Sequence, residues 1–402
     1  MSERPLRMGV AGLGRAFTLM LPTLAADPRI DLVAAADPRS EATERFSRDF
    51  GARTYASIDD LCADQAVEVV YVATPHQDHA VHVANAARHG KHVLVEKPMA
   101  ITLAQCAAMI EATERAAVRL IVGHSHSFDR PILRARELIA EGRLGAVRMI
   151  QAQYNTDFLY RPRRPEELVT AQGGGVVFSQ GAHQVDIVRL LGGGRVRSVR
   201  ALTGAWDASR PTEGAYAALL TFEEGALAVL SYSGYGHFDG DEFCGGLTEL
   251  GRPKPAGSYG AARRNLAQVG DGVDETALKA RRNYGGANYP PSTGSVAASQ
   301  QAGLSWHEHF GMVLVSCDRG DLRPVPTGVM IYCDNEVRMD PLPQPPIPRA
   351  EVIDEVYAAV VDGKPPLHDG RWAMATLEVC LAMLQSAREG RDVVLSHQVG
   401  VR

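Results

Sequence analysis

Over the first 125 residues of this 402-residue chain, short apolar runs alternate with amphipathic segments, and that alternation restricts the fold more than any other feature. Strand-like runs occupy Arg7–Ala11, Leu32–Ala36, Val67–Ala73, His92–Glu96 and Leu120–Gly123. Helical periodicity fills the gaps, at Ala16–Ala26, Glu41–Phe50, Asp78–Arg88 and Leu103–Ala116. Thr102 followed by Gln105 reads as a capping box, and Gly90 suits the position just past a helix. The near-continuous apolar run Val69–Val72 fits a strand covered on both faces. An α/β domain with a doubly wound parallel sheet follows for residues 1–125.

The pattern changes after Gly123. Strand-like stretches at Val147–Tyr154, Val196–Leu202, Tyr216–Phe222 and Ala226–Tyr232 surround one apolar segment, Val185–Leu191. Residues 126–402 are therefore expected to form an α+β domain with a mostly antiparallel sheet. Residues 245–303 are rich in Gly, Arg, Pro and Ser with weak periodicity, and read as a long insertion. Strand patterns resume at Met312–Ser316 and Gly328–Cys333. Beyond the Pro-rich stretch Pro341–Pro348 come two helices, Arg349–Val361 and Arg371–Arg388, and a final Val393–Leu395. The sequence shows no internal repeat.

Composition narrows the function. A formal net charge of -5, with no basic run, argues against nucleic acid. No apolar run approaches the length of a membrane helix, and the N-terminus lacks a signal-type apolar core. The six cysteines are scattered without a CxxC pair, so a cytoplasmic protein with reduced thiols is expected.

Gly12-Leu13-Gly14 follows the first strand and opens a helix at Arg15 and Ala16. Glycines there permit a tight turn and let backbone N–H groups approach a pyrophosphate. The third glycine of the usual G-x-G-x-x-G is replaced by Phe17. Asp37, ending the second strand, stands where an acid meets the adenosine ribose hydroxyls. This is the fingerprint of a Rossmann domain. Asp37 favours NAD, since a carboxylate repels a 2′-phosphate; Arg39 would act in the opposite sense if it faced the ribose. Ala73-Thr74-Pro75-His76, with His79, follows the fourth strand, and Glu96-Lys97-Pro98 the fifth. Strand C-termini line the cofactor crevice of such a sheet. A lysine desolvated beside a cationic ring should lose its proton readily and then accept one from an alcohol. His76, His79 and His82 are spaced by three, but apart from Asp78 no acid or cysteine cluster completes a site, and no metal is assigned. His124 and His126 fall at the end of the last strand, within reach of nicotinamide or substrate.

GVAGLGRA, VATPHQDH, VLVEKPM and GGGVVFSQGAHQVDIVRLLGG together resemble the Gfo/Idh/MocA oxidoreductases. The resemblance covers nearly the whole chain except the insertion. It implies a second domain built on a large open sheet, C-terminal helices packed back on the first domain, and a homo-oligomer. It further implies that Lys97 transfers the proton, that Glu96 supports it, and that His183 meets the substrate. One position departs from the family's D-x-G-x-H pattern: Ser179 replaces the aspartate four residues before His183, while Asp186 is retained.

The segment before the GGG motif contains Asn155, Tyr160, Arg161, Arg163 and Arg164, followed by Glu166 and Glu167. The arginines either pair with these acids or grip carboxylates bidentately. An acid lost at Ser179 and arginines gained suit an anionic small-molecule substrate. Within the family, this stretch and the insertion resemble the phthalate cis-4,5-dihydrodiol dehydrogenases. That implies NAD-dependent oxidation of a cyclohexadiene diol dicarboxylate to 4,5-dihydroxyphthalate, with His126 and the segment above at the substrate. The alternatives are a sugar- or inositol-type polyol dehydrogenase and a non-catalytic dinucleotide sensor.

Overall fold

The computed structural model describes residues 4–255, 257–269, 274–289 and 305–401. The chain divides into two compact units. The first comprises Met1–His124, Asp274–Gly303 and Pro346–Met374, and the second Ser125–Val273, Leu304–Pro345 and Ala375–Arg402.

In the first unit, β1 (Leu6–Ala11), β2 (Ile30–Ala36), β3 (Arg53–Tyr55), β4 (Val69–Val72), β5 (His92–Val95) and β6 (Leu120–Val122) form a parallel sheet in the order β3-β2-β1-β4-β5-β6. The order reverses between β1 and β4, and ligands of such sheets bind beyond the strand ends at that reversal. Helices α1 (Arg15–Ala26), α2 (Ser40–Phe50), α3 (Ile58–Ala63), α4 (His79–Arg88) and α5 (Leu103–Arg115) connect the strands. All four residues of β4 are buried because both sheet faces are covered. The strand β3 and helix α3 escape a periodicity reading, being only 3 and 6 residues long. Thr102 and Gln105 cap α5 as their spacing predicts, with Gln105 N–H donating to the Thr102 hydroxyl at 3.2 Å.

Two later stretches complete this unit. The α9 helix (Glu275–Ala280) comes from the insertion and α10 (Ala350–Val360) from the C-terminal region. α10 is tied down by Arg29–Asp354 at 2.7 Å and by the Tyr357 hydroxyl donating to Arg4 O at 3.3 Å. Thr23 donates to Pro348 O just before it, at 2.7 Å.

The second unit holds β7 (Val147–Asn155), β8 (Val196–Gly204), β9 (Ala215–Phe222), β10 (Leu227–Ser233), β11 (Met312–Cys317), β12 (Gly320–Val325), β13 (Gly328–Cys333), β14 (Glu336–Pro341) and β15 (Val393–Val394). They form one sheet in the order β14-β13-β12-β11-β7-β10-β9-β8-β15. Only the β7–β10 pair in it is parallel. Helices α6 (Arg130–Ala140), α7 (Ala182–Leu191) and α8 (Ala261–Val269) lie in this unit, and α11 (Gly370–Glu389) runs largely within it. Every residue of α7 is buried, including His183, Gln184, Asp186 and Arg189, so its polar side chains must find partners inside the protein. No helix among the described residues is long and apolar enough to cross a membrane.

Candidate active site

The glycine loop of the first unit leaves its helix end open. Gly14 precedes α1 without a side-chain cap, so N–H groups of the first turn, from Arg15 and Ala16 onward, are left for an anion. Gly12 adopts φ +94°, and a Cβ there would sit 3.0 Å from Ala73 O and from the Thr74 methyl. Beside Gly14 the nearest atom to an added Cβ is Ala73 O at 4.0 Å, which leaves room for a ligand. Asp37 is buried and accepts from Leu13 N–H at 2.7 Å. Uncapped amides, an open cradle and an acid at the end of β2 fit a dinucleotide. Phe17 fills the third-glycine position as a fully buried side chain, its ring 5.9 Å from Phe46 and 5.3 Å from Tyr284.

The loops after β4 and β5 are joined by His79. Its Nε2 lies 3.0 Å from Thr74 O and its Nδ1 3.1 Å from Pro98 O, bridging the Thr74-Pro75 turn to the residue after Lys97. Burial pushes the His79 pKa down to about 4, so the ring is neutral at pH 7. Below the loop, the Tyr71 hydroxyl donates to Glu96 Oε1 at 2.6 Å. Burial raises the Glu96 pKa, opposed by that bond and by the charge of Lys97. Glu96 is thus anchored to the sheet, and Lys97 stands at the end of β5. His82 Nδ1 pairs with the Thr74 hydroxyl at 2.9 Å. His124 is buried at the close of the unit.

In the second unit, His126 and His183 meet edge to face, with ring centroids 4.7 Å apart. The His126 backbone N–H donates to His183 Nδ1 at 3.4 Å. His126 Nδ1 lies 2.7 Å from Asp129 Oδ2 and Nε2 3.4 Å from Glu249 Oε1. Burial opposes charge on this ring, but the two carboxylates outweigh it and raise its pKa to about 10. His126, Asp129 and Glu308 bring ligand-type atoms within 4.8 Å of one another. Asp186 serves the scaffold: it accepts from Ser127 and from the Thr376 hydroxyl, the latter at 2.7 Å. Phe310 closes the group, 4.8 Å from His183, 5.0 Å from His126 and 5.1 Å from Tyr154.

The three arginines have different surroundings. Arg163 lies 3.6 Å over the Phe158 ring and donates to Phe158 O at 2.6 Å. Burial lowers its pKa to about 10. Arg164 pairs with Glu166 at 3.0 Å and with Glu167 at 3.7 Å. The Arg161 backbone N–H donates to Phe158 O at 3.2 Å, while its guanidinium, among the described residues, forms no hydrogen bond or ion pair and approaches the Phe158 ring at 5.4 Å. Burial disfavours its charge, but Glu249, Tyr232, Tyr154 and Asp157 raise its pKa on balance. Tyr160 is covered by Arg263 of the insertion, 4.2 Å over its ring, and Asn155 ends β7 beside Ser233. The Ser179 hydroxyl donates to Gly175 O at 2.6 Å within the π-helical turn Val177–Gly181.

Nothing in the sequence around Glu249, Phe310, Tyr154 or Tyr232 marks them as site residues. Glu249 lies inside the insertion, 123 positions from the histidine it faces, and no local pattern marks it.

Two family models match the chain: the oxidoreductase family with an NAD-binding Rossmann fold over residues 6–124, and the Gfo/Idh/MocA C-terminal domain over 132–243. The chain belongs to the Gfo/Idh/MocA oxidoreductases. It is an α/β oxidoreductase that binds NAD. A curated relative, the 1-carboxy-3-chloro-3,4-dihydroxycyclohexa-1,5-diene dehydrogenase of Comamonas testosteroni, is 46% identical over 95% of both chains. The crystal structure of a Bordetella bronchiseptica RB50 protein assigned as a dehydrogenase is 42% identical with a TM-score of 0.89, covering 97% of this chain and 100% of that one. The Bordetella pertussis WlbA dehydrogenase, solved with NADH and UDP-GlcNAcA, shares the fold at 21% identity and TM-score 0.66, with 97% and 99% covered.

Proposed function

We propose that this oxidoreductase dehydrogenates a cis-dihydrodiol of a carboxylated cyclohexadiene, the phthalate 4,5-cis-dihydrodiol being the narrowest form of that reading. Bound NAD supplies the hydride acceptor. Lys97 would take the hydroxyl proton as the alcohol carbon gives up its hydride. His183 hydrogen-bonds a diol oxygen and fixes the orientation of the ring. The hydroxyketone formed tautomerises, a ring C–H proton being lost from carbon and a proton being gained by the keto oxygen, and the gain in aromaticity of the resulting catechol draws the reaction forward. Glu96 and His79 set the position of Lys97 through the backbone on either side of it.

The observation that carries this reading is Arg161, whose guanidinium, among the described residues, forms no direct ion pair although it lies in the field of Glu249, Tyr232 and Tyr154. Guanidinium groups removed from water are held by anions, and a substrate carboxylate answers that need. The Comamonas relative's name gives a carboxylated ring diol as its substrate.

The test is a substrate panel followed by NADH absorbance. Carboxylated cis-dihydrodiols should turn over, with one or two carboxylates compared directly, while inositol and glucose should not. Equal rates with inositol would overturn the reading in favour of a polyol dehydrogenase, and no reduction of NAD with any diol would favour a sensor. The reading includes a homo-oligomer formed through the outer sheet face, where Leu219 and Val229 are paired neighbours at 43% and 39% exposure. Sedimentation showing a monomer would exclude it.

A further inference from the structure

Part of the insertion packs within the first unit, and it does so next to the acid that reads the ribose. Tyr284 is fully buried there. Its ring meets Phe17 and Phe46 edge-on, at 5.3 and 6.2 Å, and Arg45 lies 5.2 Å over it. Its hydroxyl donates to Asp49 Oδ2 at 2.5 Å. Tyr289 packs on Tyr284 at 5.2 Å and takes Arg45 at 4.8 Å. Phe17, the residue that replaces the third glycine, is therefore one wall of a socket for this segment.

The docked segment also holds Arg39. The Arg39 guanidinium donates from Nη1 to Tyr284 O at 3.3 Å, from Nη2 to Leu13 O at 2.9 Å and Asp37 Oδ2 at 3.1 Å, and from Nε to Asp37 Oδ1 at 3.0 Å. A guanidinium has five N–H donors, and these bonds occupy nearly all of them. Bidentate capture of a phosphate needs two adjacent free donors.

We infer that the Tyr284 segment is a cofactor-specificity strap: by locking Arg39 onto Asp37 and Leu13, it denies a 2′-phosphate the arginine that would receive it. Asp37 then repels the phosphate while Arg39 cannot answer the repulsion. Tyr284 is a positioning residue, acting through Arg39.

The experiment is calorimetric binding of NAD and of adenosine 2′,5′-bisphosphate to the full chain, without substrate, so it stands apart from the dihydrodiol reading. Asp37→Ser alone should improve bisphosphate affinity modestly. Asp37→Ser with Tyr284→Ala should exceed the product of the two single effects by about tenfold, the worth of a charge-assisted pair. Adding Arg39→Ala should abolish that surplus. Tyr284→Phe keeps the ring and removes only the Asp49 bond, so in the Asp37→Ser background it should act in the same direction at about a third of the size. Additive effects in the Tyr284→Ala and Tyr284→Phe pairs, or a surplus that survives Arg39→Ala, overturn the proposal.

Discussion

His126 and Asp129 form a buried pair, Nδ1 to Oδ2 at 2.7 Å, one 3₁₀ turn apart and directly beneath His183. With Glu249 on the other nitrogen, the ring keeps its proton up to a pKa of about 10, against 6.5 unperturbed. A raised folded-state pKa means that stability is fully present below pH 6.5 and declines as pH rises through 10. Melting temperature should therefore fall across that window. His126→Gln should lower stability at pH 6 and flatten the profile above it; an unchanged slope would show that another group titrates.

Arg161 is expected to be a binding residue. Arg161→Met should raise KM for a carboxylated diol about 10- to 100-fold, from the loss of a charge-assisted bond of roughly 1.5–3 kcal/mol. The KM of an uncharged cis-diol should stay within about twofold, a change below the ~0.5 kcal/mol noise of such substitutions. Parallel losses on both substrates would reassign Arg161 to the scaffold.

Lys97 is expected to move a proton. Lys97→Met should lower kcat by about 10²- to 10⁴-fold, the usual contribution of general-base transfer. NAD affinity measured by fluorescence titration should change little, because the glycine loop and Asp37 remain. A small loss of kcat would leave proton transfer to another group.

Gly175 carries the loop of the arginines past Glu213. Its φ is +83°, and a Cβ would lie 1.9 Å from Glu213 Oε1. Gly175→Ala should destabilise the protein by about 1–3 kcal/mol, from strain and overpacking together. The denaturation midpoint measures it. Ser179, whose hydroxyl meets Gly175 O, should tolerate alanine at about 1 kcal/mol.

The sheet of the first unit and its nucleotide end were legible in the sequence because their determinants are local. A strand, a glycine turn and a helix occupy consecutive positions from Leu6 to Ala26, and Asp37 ends the next strand. Strands with little periodicity left no mark: β14 is an edge strand with four exposed residues at its start, so neither face selects apolar side chains. What the sequence by itself determined is the kind of domain, the cofactor and the residue types gathered near it. Only the tertiary structure decided which of three chemically identical arginines is left without a direct ion pair among the described residues. Arg163 and Arg164 find their partners within a few positions, whereas the groups that act on Arg161 include Tyr232 and Glu249, far along the chain. The same holds for Tyr284, which reaches Asp49 across 235 positions. Pairings at that separation leave no period in the sequence, because they are set by which surfaces the packed elements bring together.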